Sequence, residues 1–172
     1  MDKKGQIDAM LNIIRLMVLV AMFLSIVLVA RGFIVEKIDI FEIESKLLAQ
    51  RIFISNELNY FDKETNRLYV GIVDLQKFNS PEFEKNLVDS IYYGKINSEA
   101  SAKLTLADLD DGQSYDGYYN KDFYNEKKVL VEAKLAGAGS ARRLDTDFYV
   151  LIKDGDKMKR GVLKIDAILP NS

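Results

Sequence analysis

Apolar positions fall along this chain in two regimes. From Leu16 to Ala30 every residue is apolar except Ser25. As a helix, that run rises only about 22 Å, against a hydrocarbon core of ~30 Å. Reaching back through Ile14, Ile13, Leu11 and Met10 supplies the missing length, with Arg15 snorkelling at one edge and Arg31 closing the other. The pattern predicts a transmembrane helix over 13–31, behind a basic leader over 1–12. Lys3, Lys4 and Arg15 on one side outnumber Arg31 and Lys37 on the other. That bias predicts a single-pass protein of the cell membrane, with a cytoplasmic N-terminus and the rest of the chain extracytoplasmic. Ala30-Arg31-Gly32 makes a poor secretory cleavage site, since Arg31 sits in its middle, so the segment is expected to stay in the mature protein.

Beyond Gly32 the apolar period changes. Ile40, Ile43, Leu47, Ile54 and Leu58 recur at helical steps, with Phe41, Leu48 and Ile52 widening the stripe. Glu42, Glu44, Lys46, Gln50 and Arg51 supply the other face. This is an amphipathic helix over about 38–56, inside a juxtamembrane segment of 32–60, and Asp39 complements its start.

The remainder, 61–172, reads as an extracytoplasmic head. A polar turn at 61–66 precedes a strand over 68–73. Ser80-Pro81 starts a helix, with Phe83, Leu87, Val88 and Ile91 on its buried side and Gly94 at its end. Strands are expected over 103–107, 129–135, 148–153 and 162–169, and Asp154-Gly155-Asp156 marks a hairpin between the last two. The predicted fold class is therefore α+β: an N-terminal transmembrane helix, then an amphipathic helix, then a small antiparallel β-sheet head.

Composition narrows the chemistry. The 172 residues suit one modest domain plus an anchor. A net charge of −2 offers no field for nucleic acid. Cysteine and histidine are both absent, which removes disulfides, thiolate metal sites, a Cys nucleophile and the commonest general base. Nine Tyr and nine Phe supply bulk in place of the missing Trp.

The stretch 109–126 combines Asp110, Asp111, Asp116 and Asp122 with Tyr115, Tyr118, Tyr119, Phe123 and Tyr124. Carboxylates and Asn carbonyls suit calcium, but the EF-hand spacing fails here. Tyr115, Tyr118, Tyr119 and Tyr124 are the candidate binding residues, for a sugar, a protein or a neighbouring subunit. The alternative is that these rings pack the loop onto its own sheet. Gly137-Ala138-Gly139-Ser140 lacks the Gly-Lys-Ser/Thr ending of a phosphate loop. It reads instead as a turn between strands, with Arg142 and Arg143 exposed. Nothing positions Asp110 and Asp116 as an acid–base pair. No catalytic residue, metal ligand or cofactor is assigned, and the chain is not expected to be an enzyme.

Lys3-Lys4-Gly5-Gln6-Ile7, followed directly by the apolar helix, resembles the class III signal peptide of archaeal type IV pilin-like proteins. The resemblance implies a cut between Gly5 and Gln6 by a prepilin-peptidase-like enzyme. It also implies a long N-terminal helix whose second half packs on a small sheet. Where many members carry an early Glu, this chain has Asp8, with Met10 beyond it and Arg15 inside the helix. The function implied is a pilin-like or pseudopilin-like structural and assembly protein, whose partners are the membrane and sister subunits or other surface proteins. Two alternatives stand beside it. One is an uncleaved anchored module that binds protein or ligand through the tyrosine-rich loop, with Lys3 and Lys4 as a mere orientation flank. The other is a membrane-tethered hydrolase using Asp residues and a metal.

Overall fold

The computed structural model describes residues 3–35, 40–91, 99–134 and 140–170, and within 3–35 the side chains of 12, 13 and 15–29. The chain divides into two units, 1–39 and 40–172. The first is one helix, α1 (Lys3–Val35). Leu, Met and Ala favour it, and no proline interrupts it.

Among the described residues, no helix is long and apolar enough to cross a membrane. The apolar run begins only after Arg15 and is interrupted by Ser25, and from Leu16 to Ala30 it rises about 22 Å. Lengthening that span carries the Arg15 guanidinium into it. This overturns the transmembrane helix expected over 13–31, and with it the single-pass membrane location.

The second unit, the head, contains α2 (Ile40–Phe53), β1 (Asn59–Asp62), β2 (Arg67–Asp74), α3 (Leu75–Phe78) and α4 (Phe83–Ser90). It continues with β3 (Ser101–Asp108), β4 (Ser114–Tyr119), α5 (Lys121–Glu132), β5 (Ala141–Asp154) and β6 (Lys157–Pro170). It is α+β, with one six-stranded sheet in the order β1-β2-β5-β6-β3-β4. The small antiparallel sheet expected from sequence is corrected to a mixed one, because β2 pairs parallel with β5. The chain between β2 and β5 carries three helices and two strands, enough for the long crossover a parallel pair requires.

β5 and β6 form the spine. Asp154 pairs with Lys157, leaving a two-residue turn in which Gly155 adopts φ +60°. β5 begins at Ala141, seven residues before the strand expected at 148. Its inward residues Val150 and Ile152, with Leu163 and Ile165 of β6 and Leu104 and Leu106 of β3, form the core beneath α2, α3 and α4. Asn59 closes this layer: its amide donates to the Phe53 and Ser55 carbonyls, at 2.6 and 2.8 Å, and its Oδ1 accepts from Gly71 N–H. Gly71 has φ +89° and lies in the β2 stretch that bulges away from β1.

α2 buries Phe41, Ser45, Leu48, Ala49 and Ile52, and Phe53 stacks on Phe148 at 4.3 Å between ring centroids. The expected stripe is therefore rotated. Ile43, Leu47 and Ile54 lie on the exposed side.

Ser80-Pro81 does not open a helix. Ser80 Oγ accepts from Glu82 N–H, and α4 starts after that turn, with Phe83 and Leu87 buried. Gly94 lies outside the described residues.

The strand expected over 129–135 is a helix up to Glu132, the end of α5, and Leu135 lies outside the described residues. Asn120, at φ +57°, turns the chain out of β4, and the helix formers Glu126, Lys127, Lys128 and Leu130 extend it. Tyr124 and Val131, seven residues apart, pack toward the sheet, against Ala141 and Ile168. α5 therefore covers part of the sheet face opposite α2.

Gly117 of β4 shows how tightly the inner layer is fitted. A Cβ there would lie 2.9 Å from the Phe83 ring and 3.2 Å from Phe78. Gly117→Ala is expected to cost about 1–3 kcal/mol as the two rings are displaced. Urea denaturation of the chain measures this, and an unchanged midpoint would mean that the rings give way freely.

Candidate functional site

The tyrosine-rich stretch is not a loop. Tyr115, Tyr118 and Tyr119 lie on β4, and Tyr124 lies on α5. Tyr119 is fully buried and donates its hydroxyl to the Ile91 carbonyl at 3.3 Å. Tyr124 is buried and stands edge-on to Tyr118 at 5.6 Å. Tyr115, half-buried, donates to Gln113 Oε1 at 2.6 Å. The rings pack the segment onto its own sheet, which takes Tyr119 and Tyr124 away from any binding surface.

Tyr124 belongs to a network that sequence reading did not single out. Its hydroxyl donates to Asp166 Oδ2 at 2.6 Å, and Arg143 Nε donates to Asp166 Oδ1 at 2.6 Å. Asp166 is buried in the middle of β6. Burial first, and the Asp166 carboxylate second, hold the Tyr124 phenol far above its ordinary range. The one available signal was a charged residue inside the apolar run of β6, because a buried carboxylate needs partners.

The acidic residues of 108–111 are occupied from within. Asp110 grips Arg160 through its backbone N–H at 2.8 Å and through Nη2 at 2.6 Å. Those bonds hold the Asp110 carboxyl below its usual range. Lys159 Nζ lies 2.6 Å from Asp111, 3.3 Å from Asp108 and 3.4 Å from Asp154. Its pKa is raised, chiefly by the hydrogen bond to Asp111. Asp116 pairs with Lys103 at 2.9 Å, and Asp122 lies apart on α5. Among the described residues, no group of three carboxylates is placed to hold a metal ion. Calcium at millimolar concentration is accordingly expected to leave the thermal midpoint unchanged. A clear rise in that midpoint would show that calcium displaces Lys159.

Gly5 and Gln6 lie in the first turns of α1, and their side chains are outside the described residues. Gly137-Ala138-Gly139 is also outside them. That segment follows α5 rather than a strand, and Arg142 beyond it places its guanidinium 4.4 Å from the Phe41 ring centroid.

No family model matches the chain, and neither a curated protein nor a solved structure matches it. Among the described residues, three surfaces leave apolar side chains bare.

The first is α1 itself, where thirteen large apolar residues between Ile13 and Val29 are 44–68% exposed, on every side of the helix. The second is the part of the sheet's outer face that α5 leaves open. Ile72 pairs there with Leu151, and Tyr149 with Val162. Tyr149 is 86% exposed. Tyr60 stacks with Tyr69 beside them, under Lys153 Nζ at 4.6 Å. The third is the outward side of α2, Ile43 and Leu47, with Ile54 just past its end. Ile54 also lines a groove of about 410 Å³ with Arg51, Ser55, Asn56, Ser90 and Ile91. Among the described residues the exposed tyrosines are Tyr149 and Tyr69, both in strands.

Proposed function

We propose that this chain is a structural assembly subunit, which associates through its N-terminal helix with the same helix of other copies and displays the α+β head. The observation that carries this is the exposure of α1. A helix apolar on all sides is not stable against water and must be covered by other apolar surface. Covering thirteen side chains that are each about half exposed is worth on the order of 1 kcal/mol apiece. That sum of about 13 kcal/mol lies in the upper part of the ~4–15 kcal/mol cost of association. Arg15 lies outside the apolar run and can stay at the edge of the packed helices. A cut between Gly5 and Gln6 by a prepilin-peptidase-like enzyme belongs to this reading, since it would start the mature chain on the packing helix.

Sedimentation velocity on the full chain and on a chain beginning at Ile40 tests the proposal. The full chain is expected as a polydisperse high-mass species and the shortened one as a single monomer. A monomeric full chain at micromolar concentration would sink the reading. The intact mass of protein from its native cells tests the processing step, with Gln6 as the expected first residue.

A further inference from the structure

Asp-Gly occurs three times in the chain, at 111–112, 116–117 and 154–155. In this pair the missing Cβ and free backbone of glycine let its amide nitrogen approach the preceding side-chain carboxyl carbon. We propose that the β5–β6 turn is a site of spontaneous covalent modification. There Asp154 converts to isoaspartate in the folded protein, while Asp111 and Asp116 are protected.

The conversion needs no co-reactant. The Gly155 nitrogen bonds to Cγ of Asp154. The carboxyl hydroxyl leaves with the amide proton as one water, and a cyclic imide forms. Water then adds to the former main-chain carbonyl carbon and breaks its bond to that nitrogen. The chain afterwards runs through the side-chain carbon of Asp154. No electron is gained or lost, and the water released is taken back.

Exposure does not separate the three sites. The side chains of Asp111, Asp116 and Asp154 are 49%, 49% and 45% exposed. What separates them is how firmly the two reacting groups are held. Asp111 lies 2.6 Å from Lys159 Nζ, and the Gly112 N–H that would attack donates to the Asp108 carbonyl at 3.0 Å. Asp116 is inside β4, where its carboxylate meets Thr105 Oγ1 and Lys103 Nζ, each at 2.9 Å. Gly117 pairs with Leu104 beneath the Phe83 ring. Asp154 closes the β5–β6 ladder, and Gly155 is the first of the two turn residues outside it. Nothing stands within 4 Å of the place where a Gly155 side chain would begin. The Asp154 carboxylate is 3.4 Å from Lys159, longer than an ordinary hydrogen bond. The product adds one methylene to the main chain, so Asp154 and Lys157 no longer close the turn in the same geometry.

The full chain is kept folded at neutral pH for several weeks, digested, and its isoaspartate mapped by fragmentation mass spectrometry. The same chain unfolded in guanidinium chloride runs beside it. Unfolded, the three sites should convert at similar rates, because only the fold distinguishes them. Folded, Asp111 and Asp116 should fall behind Asp154 by about tenfold or more, a factor equivalent to 1.36 kcal/mol in the barrier. Asp154→Asn should speed formation of the same product, with ammonia leaving in place of water. Asp154→Glu should abolish it, because the longer side chain places its carboxyl carbon for a larger ring. Isoaspartate appearing at Asp111 or Asp116 as fast as at Asp154 in the folded chain would overturn the proposal. So would a folded chain unmodified at Asp154 while the unfolded chain converts, or no conversion in either form.

Discussion

Phe23→Asp is expected to disperse the assembly. Phe23 lies midway along the apolar part of α1 and is 68% exposed in the single chain. Its neighbours one turn away, Leu19 and Val27, are also bare. In packed helices this position is enclosed by apolar surface with no cation to receive a carboxylate, since Arg15 lies two turns back. Burying an unpaired charge costs several kcal/mol per contact. A loss of about 3 kcal/mol raises the concentration of half-assembly roughly a hundredfold. Sedimentation velocity should therefore show monomers at concentrations where the parent chain is large. Phe23→Leu should assemble normally, because it keeps apolar bulk. The thermal midpoint of the head should be the same in both variants, which separates lost assembly from lost folding. Unchanged sedimentation of Phe23→Asp would mean that α1 is covered by something other than its own kind.

How much of the head was legible depended on whether local pattern and tertiary packing agreed. The β5–β6 hairpin was legible because Asp154-Gly155 lies between alternating runs and nothing distant contradicts it. α5 was not. Val129, Val131 and Ala133 alternate as a strand would, yet Val129 is exposed while Tyr124 and Val131 pack against the sheet. The helical period was carried by two residues and diluted by Lys127, Lys128 and Glu132. β4 was hidden for the opposite reason. Its inward positions are Tyr115, Gly117 and Tyr119, and a glycine between tyrosines with Asp116 beside it reads as a turn. The glycine is there because Phe83 occupies the space of a side chain.

α2 illustrates a limit of periodicity itself. Its sequence holds two apolar stripes, Ile43-Leu47-Ile54 and Phe41-Leu48-Ile52, and either one suits a buried face. The stack of Phe53 on Phe148, ninety-five residues away, accompanies the burial of the second. The candidate surfaces inherit that ambiguity. The exposed stripe and Tyr149 become visible only once the sheet fixes which side of each element is covered. The transmembrane expectation failed on length. It needed residues on both sides of Arg15 to act as one apolar span.

Asp166→Ala is expected to be the most damaging single change in the head's polar interior. It leaves the Tyr124 hydroxyl buried without its acceptor and removes the carboxylate that Arg143 grips. Removing one member of a buried charge network costs ~3–5 kcal/mol. Arg143 is partly exposed and recovers some hydration, so a loss of roughly 2–4 kcal/mol is expected. Tyr124→Phe removes one hydrogen bond and keeps the ring, for about 1–2 kcal/mol. The double variant should lose less than the two together, because both act through one bond. High pH provides an independent readout. Burial and Asp166 raise the Tyr124 phenol above its unfolded value near 10. The stability it contributes is present below that value and is lost as pH rises above it, since the unfolded chain releases the proton first. Between pH 10 and 12, stability should therefore fall more steeply in the parent than in Tyr124→Phe, by up to about 1.4 kcal/mol per pH unit. Urea titrations across that range measure the difference. Parallel curves would show that the phenol already titrates in the folded head as it does in water, and the Tyr124–Asp166 bond would lose its place in holding α5 on the sheet.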